Sequence, residues 1–86
     1  MPEIEIYTQP WCPYCVRAKQ LLDARGVAYR EIDAPGGTPE RAESQARSGR
    51  SSVPQIFIDG ASIGGCDELM ALDRAGQLDK LLHPGA

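Results

Sequence analysis

The pair Cys12 and Cys15, with Pro13 and Tyr14 between them, constrains the rest of this 86-residue chain more than any other feature. It follows a short strand-like run and opens a helix-like one. A C-x-x-C at such a junction can close a small disulfide ring or clamp a metal. A zinc site calls for a second ligand pair at close spacing, and the remaining candidates, Cys66 and His83, stand singly and far along the chain. A C-x-x-C that follows a strand and opens a helix within a βαβ pattern is instead a redox signal. The sequence around the pair has to decide between the two.

Glu3–Tyr7 alternates polar and apolar residues and reads as a strand with one buried face. Thr8-Gln9-Pro10 breaks it. From Val16 to Arg25 the chain reads as a helix, with Cys15, Ala18 and Leu22 on one stripe and Gly26 as its stop. Val27–Asp33 is strand-like again, and the crossover is long enough to make the two strands parallel. Pro35-Gly36-Gly37 is a loop. Thr38 caps a mostly polar helix from Pro39 to Ser48, whose apolar pair is Ala42 and Ala46, and which ends at Gly49. The charged residues from Glu40 to Glu43 read as a solvated face. Gln55–Asp59 is a strand, Asp59-Gly60 a tight hairpin turn and Ala61–Ile63 the returning strand. A helix from Asp67 to Ala75 and a last short one around Leu78, Leu81 and Leu82 complete the chain, with 83–86 as a loose tail. The order β-α-β-α-β-β-α, plus that short helix, predicts an α/β fold: one domain over 1–86, with a four-stranded mixed sheet flanked by helices.

Composition narrows the function. A net charge of −3 offers no electrostatic footprint for nucleic acid or an anionic membrane. No apolar run approaches the ~20 residues of a membrane span. Met1-Pro2-Glu3 begins without a basic region or an apolar signal core, so a cytoplasmic protein is expected. Thiols there are kept reduced, and three cysteines, an odd number, do not suit a structural disulfide framework.

The helix start supplies the chemistry. With Cys12 at the N-cap and Pro13 at the first helical position, the free N–H groups of the first turn point toward the Cys12 sulfur. They and the partial positive charge of the helix end favour thiolate over thiol. Cys15 lies a turn further in, nearer the packed face. Cys12 is therefore expected as the exposed attacking sulfur and Cys15 as the buried partner that displaces what Cys12 has captured.

Three motifs, Cys12-Pro13-Tyr14-Cys15, Ser52-Val53-Pro54 and Gly64-Gly65-Cys66-Asp67, in this order and spacing over nearly the whole chain, resemble those of the glutaredoxins, closest to the short bacterial dithiol ones. The resemblance implies a thioredoxin-like fold with strand order 2-1-3-4 and reduction of disulfides by glutathione. It implies a cis bond between Val53 and Pro54, and glutathione contacts at Tyr14, Ser52, Val53, Pro54, Gly65, Cys66 and Asp67. The last motif suits the ligand chemically: N–H groups of Cys66 and Asp67 can receive a carboxylate, and the Asp67 side chain an ammonium, as a γ-glutamyl group requires. Many members carry lysine where Gln9 stands. Gln9 supplies no charge, and Arg47, Arg50 or Gln45 are the candidates to compensate, Gln45 matching a family position. The sulfur of Cys66 reads as gap-filling. Trp11 is expected partly exposed, either docking a substrate or covering core.

The function expected is a glutathione-disulfide oxidoreductase that acts as a monomer on disulfide-containing or glutathionylated proteins. Glutathione is the co-substrate, NADPH enters only through glutathione reductase, no cofactor is bound tightly, and no metal, nucleic acid or membrane is engaged. Two alternatives stay open. One is an electron donor reduced by thioredoxin reductase, of the ribonucleotide reductase type, against which Asp67 argues. The other is a carrier of an iron–sulfur cluster held by Cys12 and glutathione, against which Pro13 argues.

Overall fold

In the structure, a computed structural model that describes residues 2–85, the four strands form one sheet in the order β2-β1-β3-β4. The elements are β1 (Ile4–Thr8), α1 (Pro13–Ala24), β2 (Arg30–Asp33), α2 (Pro39–Ser48), β3 (Gln55–Ile58), β4 (Ala61–Gly64), α3 (Cys66–Arg74) and α4 (Gln77–Leu82). β1 runs parallel to β2 and antiparallel to β3, and β3 is antiparallel to β4. The βαβ unit and the hairpin stand as expected. Asp59 and Gly60 both have positive φ, 51° and 82°, as the tightest hairpin turns require. Met1 and Ala86 lie outside the described residues, and with them the ends of the leader and tail expectations.

The side chains of β1 go both ways. Ile4 and Ile6 join Ile56 and Ile58 of β3 on one face, where Ala18 and Leu22 of α1, Cys66 and Leu69 of α3, and Leu78 and Leu82 of α4 pack onto them. This is the larger apolar core. Tyr7 and Phe57 point to the opposite face with Ala34, their rings meeting edge to face at 5.6 Å.

That second face corrects two expectations. β1 is buried along its whole length, not on one side, because α2 covers the other side. And α2 does not sit down on Ala42 and Ala46, which are both exposed; its buried residue is Ser44, flanked by half-buried Arg41 and Arg47. Arg47 reaches over the Phe57 ring at 4.0 Å and donates to Glu5 and to the Tyr7 hydroxyl, which donates in turn to Glu43. The charged run from Glu40 to Glu43 is thus only partly a solvated face. The helix docks through polar groups because β1 presents Glu5 and Tyr7 on that side, and a small serine at the contact lets the backbones approach. Gly49, at φ 75°, closes α2 in the left-handed conformation that a C-terminal glycine takes without strain.

Candidate functional site

The two cysteines sit where β1 hands over to α1. Cys12 is the N-cap, in extended conformation, and Pro13 follows at the position where a missing N–H costs nothing. The Cys15 N–H donates to the Cys12 sulfur at 3.2 Å, so the sulfur itself caps the helix. The Cys12 thiol in turn faces the Val53 carbonyl, 3.9 Å away. One expectation needs correcting here: Cys12 is not openly exposed but 8% accessible, against 2% for Cys15. The cap geometry turns its sulfur down toward the first turn and the Val53 loop, leaving only its outer edge to solvent. Burial, and then the hydrogen bond with Cys12, push the Cys15 thiol up to about 12, while a hydrogen bond from the Gln9 backbone opposes this.

On one flank of Cys12 lies a cleft of about 170 Å³. It is lined by Tyr14, Ser52, Val53, Pro54, Gly65, Cys66 and Asp67, every residue that the sequence assigned to a ligand apart from Gln9 and Gln45. Arg50 and Glu68 complete it. The Val53–Pro54 peptide is cis. Gly65 caps α3, and Glu68 Oε1 accepts both the Gly65 N–H at 2.7 Å and Arg50 Nη1 at 2.6 Å. Asp67 is exposed in the first turn of α3, where N–H groups lack helical partners. Cys66 lines the cleft and belongs to the buried apolar core, where burial pushes its thiol up.

A second cleft, of about 370 Å³, opens on the other flank of Cys12. Gln9, Trp11, Cys15, Lys19 and Glu31 are among its walls. Trp11 is 99% exposed at φ 61°, so it covers no core at all. The candidates to compensate for the uncharged Gln9 are placed elsewhere: Arg47 points inward to Glu5, Arg50 pairs with Glu68 in the other cleft, and Gln45 is exposed and lines neither. The cation that does reach Gln9 is Arg41, unforeseen from sequence. Its Nη1 donates to Gln9 Oε1 at 2.9 Å and to the Ala34 carbonyl at 3.0 Å, and its Nε to the Ser51 carbonyl at 3.0 Å. The signal that points to it is the stripe Arg41, Ser44, Ser48, spaced by three and four, which marks the inner face of α2.

Among the described residues no three His, Cys, Asp or Glu side chains converge as a metal-binding group, so neither Cys66 nor His83 joins the pair as a ligand set. What the two sulfurs can do follows from their unequal surroundings. One caps a helix at the surface edge and the other sits a turn deeper in the core, so capture at Cys12 can be followed by resolution from Cys15. A dithiol used in this way on a thioredoxin-like frame is the mark of a thiol–disulfide oxidoreductase. Within that class the chain belongs to the glutaredoxin family, whose family model, described as Glutaredoxin, matches residues 4–63. It is 55% identical over 82 residues to Glutaredoxin 3 of Escherichia coli (strain K12), covering 95% of this chain and 99% of that protein. The solution structure of glutaredoxin from Brucella melitensis superposes with a TM-score of 0.81 at 55% identity, covering 98% of this chain and 91% of the other. The crystal structure of a buckwheat glutaredoxin–glutathione complex superposes with a TM-score of 0.84 at 32% identity, covering 94% of this chain and 76% of the other.

Among the described residues no helix is long and apolar enough to cross a membrane.

Proposed function

We propose that the protein reduces glutathionylated proteins and protein disulfides with glutathione as the electron donor. The observation that carries this reading is the cleft of about 170 Å³ between Tyr14, the Val53–Pro54 turn and the start of α3, next to the Cys12 sulfur. It is the right size and polarity for part of a tripeptide. An anionic end would meet the free N–H groups of Cys66 and Asp67, and an ammonium the Asp67 carboxylate. The similarity to a glutaredoxin solved with glutathione supports the same reading.

In the one-thiol route the Cys12 thiolate attacks the glutathione sulfur of a mixed disulfide. The Cys12–glutathione bond forms, and the substrate leaves as a thiolate that takes a proton from solvent. A second glutathione thiolate attacks the bound glutathione sulfur, which frees Cys12 and releases glutathione disulfide. In the two-thiol route Cys12 attacks a protein disulfide, Cys15 then displaces the protein by attacking Cys12, and two glutathiones reduce the Cys12–Cys15 bond. A separate glutathione reductase brings in NADPH. Gln9, with Arg41 behind it, receives the glycyl carboxylate. The protein works as a cytoplasmic monomer.

Three substitutions test this. Cys12→Ser should abolish both routes. Cys15→Ser should keep reduction of mixed disulfides and lose that of protein disulfides. Asp67→Ala should raise the KM for glutathione about tenfold, the scale of one charge-assisted hydrogen bond. Regeneration of the oxidised protein by thioredoxin reductase, and not by glutathione, would overturn the reading.

A further inference from the structure

Cys15 must lose its proton to act, although it is 2% exposed and burial holds its thiol high. One cation shares its helix face. Lys19 follows Cys15 by four residues on α1, a spacing that brings Cβ atoms to about 5–6 Å. Both line the cleft of about 370 Å³ on the Trp11 side of Cys12. Lys19 is held there: its Nζ lies 3.0 Å from Glu31 Oε2, and the same oxygen accepts from Thr8 Oγ1 at 2.7 Å. Thr8 ends β1 directly before the cysteine loop, and Glu31 stands on the neighbouring strand β2, opposite Ile6 in the register. The sheet edge therefore holds the ammonium on the cleft that Cys15 also lines. The other charged or titratable groups on this cleft are Cys12, Glu31 and Asp33, so Lys19 is its one cation among the described residues. Nothing in the one-thiol route calls for such a group.

We propose that Lys19, tethered by Glu31, is a positioning residue for the resolving step, stabilising negative charge on Cys15 as that sulfur attacks Cys12. The step balances. The Cys15 thiol gives its proton to solvent through the open cleft. The Cys12–Cys15 bond forms as the bond from Cys12 to the substrate protein breaks. The departing thiolate takes a proton from solvent, and two electrons have passed from the cysteine pair to the substrate. The inference rests on the two-thiol route proposed above.

Lys19→Met keeps the stem and removes the charge. The Cys15 titration, followed by iodoacetamide alkylation in a Cys12→Ser background with the Cys15 peptide read by mass spectrometry, should move up by about half a pH unit to one pH unit. Fewer thiolates are then partly offset by higher intrinsic nucleophilicity, so protein-disulfide reduction should fall only about two- to fourfold. Reduction of a glutathione mixed disulfide should not change, and Lys19→Arg should restore both readouts. An unshifted alkylation profile would overturn the proposal. So would equal loss in both routes, which is the sign of a merely structural role. Should glutathione fail to support turnover by the wild type, the function proposed above is at fault, and the alkylation profile still decides for or against Lys19.

Discussion

The Arg41 guanidinium donates to Gln9 Oε1 at 2.9 Å, which places a cation from α2 behind an uncharged side chain just before the cysteine loop. The same guanidinium ties down the carbonyls of Ala34 and Ser51. Arg41→Met should therefore act twice. Stability should drop by about 1–2 kcal/mol in urea unfolding, as backbone acceptors lose their charged donor. On the function proposed above, the KM for glutathione should rise about tenfold with kcat nearly unchanged, since the charge is expected to serve binding alone.

Arg47 holds together the polar layer beneath α2. Arg47→Met leaves the buried Glu5 carboxylate without its main partner and takes a donor from the Tyr7 hydroxyl. The expected loss is about 2–4 kcal/mol, well above that of a surface ion pair, because an uncompensated charge remains inside. Arg30 cannot replace it: at 3.8 Å from Glu5 it is mostly exposed and weakly coupled. Thermal unfolding of the variant checks this.

Acid should weaken the fold through the same carboxylate. The hydrogen bonds from Arg47 hold Glu5 below the ordinary carboxylate range, against the effect of burial. A depressed folded-state value means that its contribution is complete above the unfolded value of about 4.3 and is lost as pH falls through the folded one. Glu31 and Glu68, also lowered by hydrogen bonds, lose theirs in the same direction. Stability measured from pH 6 down should fall below about pH 4.5, and less steeply in Glu5→Gln than in the wild type.

Gly64 has φ 108°, and a Cβ there would lie 2.8 Å from the Glu68 side chain. Gly64→Ala therefore meets both backbone strain and a clash. Glu68 has to move, and in moving it releases the Gly65 N–H and Arg50 together. A destabilisation of about 1–3 kcal/mol is expected. Glu68→Gln, which removes the charge without the clash, should cost less; equal losses in the two variants would argue against steric displacement as the cause.

The parts of this molecule that could be read in advance are those whose signals are local. Pro13 after Cys12 announced the helix start, Asp59-Gly60 the hairpin, and Ala18 with Leu22 the core face of α1. Tyr14, Ser52, Val53, Pro54, Gly65, Cys66 and Asp67 on the smaller cleft could be named because each lies in a short motif, whereas Glu68, which completes that cleft with Arg50, lies in none of them. The inner face of α2 escaped because hydrophobic patterning follows apolar residues, and there the apolar pair, Ala42 and Ala46, points outward. The partners of that face, Gln9 for Arg41 and Glu5 for Arg47, are 32 and 42 positions away, a separation only the folded sheet closes. Near-burial of Cys12 was missed for a similar reason, since the Val53 loop that covers it arrives from 41 residues downstream.

The polar seam under α2 also sets an order of opening. Apolar burial holds α1, α3 and α4 to the sheet as one cooperative unit, whereas α2 leans on a handful of hydrogen bonds and ion pairs around Tyr7 and Arg47. Segments held in that way sit at the low end of the local-unfolding scale. In native-state hydrogen exchange the amides of α2 should be the fast face of the sheet and those of β1, β3 and α1 the slow face. The Ser51–Pro54 turn, which follows α2 after Gly49 and Arg50 and sets the Val53 carbonyl against Cys12, would then share the faster clock, giving a bulky disulfide room to enter while the frame beneath the sulfurs stays shut.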